Sequence, residues 1–230
     1  MDWSSKWTTY KPLQKKTIMN LCDIIIYTDG VPHYDLTNTI SYLNYKGKQR
    51  FGDHFKISPL DYEIIFQIIS WIVNDQKACK KYGLSYKKGI LLSGPVGCGK
   101  TSLMKLVATL VPKNRSYIVK PSREVTMEFS KQGYDVVHRY SRSVGSPKAI
   151  CFDDIGIEPP MRYFGDNINV IGEILLSRYD LYISKRILTH GTTNLNSQEI
   201  EMRYGSRVRS RLREMFNLIS FPPDAEDKRR

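Results

Sequence analysis

The eight residues Gly94-Pro95-Val96-Gly97-Cys98-Gly99-Lys100-Thr101 constrain this chain more than any other feature. They read G-x-x-x-x-G-K-T and follow Lys88-Gly89-Ile90-Leu91-Leu92-Ser93, a short apolar run of buried-strand type. After them, residues 102–110 place apolar side chains at helical spacing. Strand, glycine loop and helix in that order make a phosphate cradle. The glycines let successive backbone N–H groups turn inward, and the helix start adds its positive dipole end. Gly94, Pro95, Val96, Gly97, Cys98, Gly99, Lys100, Thr101 and Ser102 are therefore expected to hold a nucleoside triphosphate. Lys100 would reach the β- and γ-phosphates, and the Thr101 hydroxyl would hold Mg²⁺.

The rest of the chain alternates between strand-like and helix-like segments. Ser58-Pro59-Leu60-Asp61 carries an N-cap, a first-turn proline and a carboxylate three residues on, so a helix is expected to about Asn74. A helix there often covers an adenine pocket. Strands are expected at 90–93, at 117–119 with a helix from about 122, and at 149–152, ending at Asp153-Asp154. A helix over about 168–183 leads to a strand at 186–190, two further helices and a last strand at 218–221. This alternation predicts an α/β fold, a parallel sheet with helices on both faces. Asp153 and Asp154 would emerge at the carboxyl edge of that sheet, where ligands bind. Asp153 would fix Mg²⁺ through water, and Asp154 would orient or deprotonate an attacking water.

Residues 1–57 differ, being rich in Tyr, Trp, Asn, Asp and Lys. They read as an N-terminal extension, a candidate partner-binding module, with a short strand at 24–27 and a short helix at 36–45. Trp3, Trp7 and Tyr10 would anchor a partner or pack on the main domain. Residues 58–223 form the nucleotide-binding domain and 224–230 a charged tail. No stretch is long enough to span a bilayer, and no hydrophobic leader opens the chain. Cys22, Cys79, Cys98 and Cys151 form no C-x-x-C pair, which suits reduced thiols and a cytoplasmic location. The net charge of +12 is uneven: residues 61–150 hold 15 basic and 6 acidic side chains, whereas residues 151–230 hold 12 of each. That excess, around Lys77, Lys80, Lys81, Lys87, Lys88, Lys113, Arg115, Lys120 and Arg123, fits a phosphate-backbone contact or a solvated face.

Residues 88–104 (KGILLSGPVGCGKTSLM), Asp153 to Glu158 (DDIGIE), Ser177-Arg178-Tyr179-Asp180, Thr192-Thr193-Asn194-Leu195 and Arg207-Val208-Arg209-Ser210-Arg211-Leu212 occur in order. Over about residues 60–222 this set resembles the DnaC/DnaI-type helicase-loader and IstB-type transposition-helper branch of the AAA+ P-loop ATPases. The resemblance implies a five-stranded parallel sheet, ATP and Mg²⁺ as ligands, and catalytic sites shared between subunits of an ATP- or DNA-dependent homo-oligomer. It assigns Asn194 to sensing the γ-phosphate and Arg211 to an arginine finger, with Arg207 as second candidate. Two departures follow. Asp154 stands where many AAA+ proteins carry Glu, so slow hydrolysis or a contribution from Glu158 is expected. The chain ends about 10 residues after its last expected strand, so no C-terminal lid domain is expected.

The implied activity is ATP hydrolysis coupled to DNA. The first reading is a helicase-loader-like replication factor with single-stranded DNA and a replicative helicase as partners. The alternatives are an IstB-like transposition helper on duplex DNA with a transposase, a small-molecule P-loop kinase, or a non-catalytic nucleotide-gated binding module. A kinase would need an arginine-bearing lid and an acceptor pocket. The pairing of Thr192-Asn194 with Arg207-Arg211 suits an oligomeric ATPase better.

Overall fold

The computed structural model describes residues 24–28, 31–142 and 148–229. Cys22, Trp3, Trp7 and Tyr10 lie outside the described residues. Strands β1 (Ile25–Thr28) and β2 (Val31–Tyr34) pair antiparallel and lead into helix α1 (Leu36–Phe51), whose N-cap Asp35 accepts from the Asn38 N–H. A 3-10 turn at Pro59–Asp61 then opens α2 (Tyr62–Val73) through the expected capping box, in which Ser58 and Asp61 satisfy each other's backbone N–H groups. Asn74 in the left-handed region closes α2, and α3 (Gln76–Tyr82) follows.

Thereafter the chain alternates: β3 (Gly89–Ser93), α4 (Lys100–Val107), β4 (Tyr117–Pro121), α5 (Ser122–Gln132), α6 (Tyr134–Arg142) and β5 (Ala149–Ile155). A small hairpin, β6 (Met161–Tyr163) and β7 (Asp166–Ile168), precedes α7 (Val170–Lys185), β8 (Thr189–Thr193), α8 (Ser197–Met215) and β9 (Phe216–Ser220). Five parallel strands form one sheet in the order β4-β5-β8-β3-β9. Its strands are buried on both faces, and their alternation shows it. Ile90, Leu92 and Cys151 join a core with α2 and α4, while Leu91, Ile150 and Phe152 join a second core with α5, α6 and α7. Tyr42 and Leu43 of α1 belong to the first core.

Several expected boundaries move, and the short helix expected at 36–45 runs on to Phe51. The fourth strand is Thr189–Thr193 and not 186–190: Arg186 (φ 56°) caps α7 in the left-handed region, so the chain is still leaving the helix there. The central strand is polar in sequence, and Thr189, Thr192 and Thr193 each find a hydrogen-bond partner within the fold. His190 is fully buried, its Nδ1 accepting from the Ile90 N–H at 3.1 Å. Tyr117 and Trp71 flank its ring at centroid distances of 4.5 and 5.5 Å. Burial, then the nearby cations Arg115 and Arg178, push its pKa down to about 3. The last strand begins two residues early, at Phe216. The two expected terminal helices are the halves of α8, which breaks at Gly205 (φ 85°, ψ 162°).

Arg178, in α7, is entirely buried. It donates to the Thr189 hydroxyl at 2.7 Å and to the carbonyls of Tyr140 (2.7 Å), Leu188 (3.0 Å) and Lys148 (3.1 Å). One guanidinium therefore ties α7 to the end of α6 and to the starts of β5 and β8. Burial lowers its pKa to about 10, which still leaves it charged at neutral pH.

Candidate active site

A cleft of about 650 Å³ opens at the carboxyl ends of the central strands. The glycine loop between β3 and α4 forms its floor. Gly97 (φ 82°) and Gly99 (φ 100°) adopt the left-handed region, and a Cβ at Gly94 would fall 2.7 Å from the Phe221 Cβ. Only glycine fits these three turns without strain. Val96, Gly97, Gly99, Lys100, Thr101 and Ser102 line the cleft. Cys98 is fully buried beneath it, and burial raises its thiol pKa. The Lys100 ammonium is buried and donates to the carbonyls of Gly94 (2.8 Å) and Pro95 (2.7 Å).

Strand β8 lies between β3 and β5, so its carboxyl end separates the glycine loop from the two aspartates. Thr192 spans that gap. Its hydroxyl donates to Asp153 Oδ1 at 2.7 Å and accepts from the Asp154 N–H at 2.8 Å. Thr101 donates to the same Asp153 oxygen at 2.9 Å. A regular strand would turn consecutive side chains to opposite faces. Here the β5–β8 register shifts between Phe152 and Ile155, and Asp154 takes φ 54°. This bulge lets Asp153 meet Thr101 while the next residue, Asp154, lines the cleft. Burial, then the charge of Asp153, raises the Asp154 pKa, with Lys100 and Arg229 acting against the rise.

Asn194, just past β8, also lines the cleft, and its Oδ1 is buried without a hydrogen-bond partner. An unsatisfied buried acceptor is costly. A water held between it and Asp154 would satisfy both. Glu158 has no such freedom: it is 2% exposed, and its carboxylate accepts from the Gly156 N–H (2.9 Å) and the Tyr204 hydroxyl, with Arg203 beside it. It joins the loop after β5 to α8 and does not line the cleft. Arg211 and Arg207 do not line this cleft either. Arg207 is exposed, and Arg211 lies 4.7 Å from the Tyr179 ring while donating to the Leu176 carbonyl.

Two walls complete the site. Ile65 of α2, the helix expected beside the adenine pocket, supplies an apolar side together with Phe51, Phe55 and Ile57, which the sequence does not mark as part of the site. The Phe51 and Phe55 rings stand 5.3 Å apart. The segment after β9 supplies the other. Lys228 donates its N–H to the Gly97 carbonyl and pairs through Nζ with Asp61 at 2.5 Å, and Arg229 lines the cleft beside it. The Asp227 carboxylate packs so closely on Gly97 that a Cβ there would fall 2.0 Å from Oδ1. The sequence signal for these walls is the helix start at Ser58-Pro59-Leu60-Asp61; nothing in the sequence marks the segment after β9.

The family model for the AAA proteins, ATPases associated with various cellular activities, matches residues 90–216, more than half of the chain. The chain belongs to the AAA family of ATPases. This AAA chain is 32% identical over 117 residues to the cell division control protein 48 homolog B of Arabidopsis thaliana. It is 34% identical over 119 residues to a cell division cycle ATPase of Plasmodium falciparum. Those segments take in 48% and 50% of the chain but only 19% and 10% of the two relatives. Among solved structures, its fold is similar to that of the DnaC helicase loader, with a TM-score of 0.52 at 17% identity, covering 72% of this chain and 92% of that one. The five-stranded parallel sheet is thus the expected P-loop AAA+ sheet. No described helix is long and apolar enough to cross a membrane.

Proposed function

We propose that this chain hydrolyses ATP with Mg²⁺ in the cleft, slowly, and acts on DNA as a helicase-loader-like factor in replication. The observation that carries the hydrolytic half is the unpartnered Asn194 Oδ1 in a cleft that Asp154 also lines and the glycine loop floors. Phosphate oxygens are stronger acceptors for Lys100 than the two carbonyls it now meets, so a triphosphate would draw the ammonium onto its β- and γ-groups. The donor set fits Mg²⁺. Thr101 and Asp153 offer hard oxygens, and no cluster of three or more metal-ligating side chains occurs among the described residues. Such a site suits an ion held by one carboxylate and the phosphates, where it would supply charge neutralisation. Asp154 holds and deprotonates the attacking water, and Asn194 fixes its orientation. The apolar wall of Phe51, Phe55 and Ile65 receives the base.

Among the described residues Arg229 is the arginine that lines the cleft of its own chain, and Arg211 packs on Tyr179 outside it; a neighbouring subunit supplies Arg211 in an ATP- or DNA-dependent homo-oligomer. The half of α8 beyond Gly205 presents it. The replication role is supported by the ordered motifs and by a fold similar to the DnaC helicase loader; residues 1–57 would meet the helicase. The test mixes two inactive proteins. Arg211→Ala and Lys100→Ala should each lose turnover, and mixing them should restore part of it, because one retains the loop and the other the arginine. No recovery, with turnover independent of protein concentration, would refute the shared site. Stimulated loading of a replicative helicase onto single-stranded DNA would support the replication role. Stimulation of a transposase instead would move the chain to the transposition helpers.

A further inference from the structure

Opposite the nucleotide cleft, at the amino ends of the strands, lies a second cavity of about 720 Å³. The starts of β4, β5 and β8 and the loop before β3 form it. Lys87, Lys113, Arg115, Lys148 and Arg186 line it, and no Asp or Glu does so among the described residues. None of the five is in an ion pair there, whereas Lys120, Lys228 and Arg209 elsewhere are paired with carboxylates. Neighbouring strands stand about 4.8 Å apart. The fold therefore gathers cations from distant parts of the sequence onto one edge with no carboxylate to offset their repulsion.

Arg115 fixes the wall. Its guanidinium stacks 3.6 Å from the Tyr86 ring centroid and 4.2 Å from that of Trp71, and it donates to the Tyr86 carbonyl. Its Nη1 is buried without a partner. The other four cations are exposed, with the Arg186 guanidinium 5.6 Å from the Tyr182 ring centroid, and exposed Asn114 and Ser116 add neutral hydrogen-bonding groups. A concentrated, unneutralised positive recess of this kind selects a polyanion.

We propose that this recess holds the phosphodiester backbone of single-stranded DNA, on the sheet edge opposite the ATP. The inference rests on the DNA-acting reading above and assigns it a site. A single strand is narrow and flexible enough to descend into a recess, whereas a duplex would rest on its rim. Positive grooves that track a backbone are the usual means of holding single strands without reading sequence.

The experiment is fluorescence anisotropy of a labelled oligothymidylate with the full chain, from 50 to 300 mM salt, in ATP and in ADP. The comparison is with the triple variant Lys113→Ala, Lys148→Ala, Arg186→Ala. Each phosphate contact contributes about −0.7 to the slope of log K against log salt for single strands. Losing three should flatten the slope by about 2 and weaken binding on the order of 100-fold at 0.1 M salt. Nucleotide affinity, set at the other edge, should not change. Should the triple variant fail to fold, Lys113→Gln alone should flatten the slope by about 0.7 and weaken binding about fivefold. A wild type that binds the oligonucleotide, with an unchanged slope in the variants, overturns the recess and leaves the DNA reading standing. Binding of duplex only overturns the single-strand assignment. A wild type that binds no DNA at 50 mM salt in either nucleotide overturns both.

Discussion

Acidification should destabilise this protein through His190 from about pH 6.5 downward, beginning above the range in which ordinary carboxylates titrate. Its Nδ1 accepts the Ile90 N–H, so a proton added there would face a donor. Burial holds the pKa at about 3 in the fold, against about 6.5 in the unfolded chain. The folded state thus refuses a proton that the unfolded state accepts. Stability is fully present above about pH 6.5 and is lost as pH falls toward 3. The loss is about 1.4 kcal/mol per pH unit, hence about 2 kcal/mol by pH 5 and about 5 kcal/mol over the whole range. That total is comparable with the net stability of many domains. The assay is urea unfolding at pH 7, 6 and 5, with His190→Asn as reference. Asparagine retains an acceptor near the position of Nδ1 and cannot titrate. The variant should be less stable at pH 7 because ring packing is lost, yet it should lack the wild type's steep decline. Parallel stability curves for the two proteins between pH 7 and 5 would refute the reasoning.

Arg178→Met should lower stability by about 3 kcal/mol, because three carbonyls and a hydroxyl lose their shared donor, and the midpoint of urea unfolding should shift accordingly. Asp227→Asn should tighten ATP binding about two- to tenfold in a nucleotide titration at low salt, since it removes a negative charge packed against Gly97 where phosphates are expected. The acidic limb of kcat/KM for ATP hydrolysis should lie above the ordinary aspartate range. A raised pKa keeps Asp154 protonated, and unable to accept a proton, to higher pH than usual; a pH–rate profile checks this.

The phosphate loop was legible because its chemistry is local: glycine spacing, one lysine and one threonine suffice. The flanking strand and helix were legible for the same reason. Strand β8 lies three residues beyond the expected 186–190, because Ile187 and Leu188 look like the start of a strand, whereas Gly191-Thr192-Thr193 looks like a turn. Thr189 accepts from Arg178, His190 Nδ1 accepts from the Ile90 N–H and Thr192 donates to Asp153, partners that lie on other elements. Glu158 shows the converse. Its proximity to the aspartates suggested catalysis, and its contacts with Tyr204 and Arg203 make it a tie between loop and helix. Asn217, buried on β9, binds the backbone of Ser85, Lys88 and Gly89 and carries no sequence signal at all. The bulge that aims Asp153 and Asp154 depends on the register of β5 against β8, which pairing alone decides.

The proposed cleavage of ATP in the cleft, with Asp154 acting on water, is open to direct test. The most direct measurement is steady-state ATP turnover of Asp154→Asn beside the wild type, with nucleotide affinity titrated on both. Affinity should remain within a few-fold, because in the proposed role the Asp154 carboxylate acts on water and not on ground-state phosphate contacts. Turnover should fall on the order of 100-fold or more. Wild-type turnover in the variant would contradict the account.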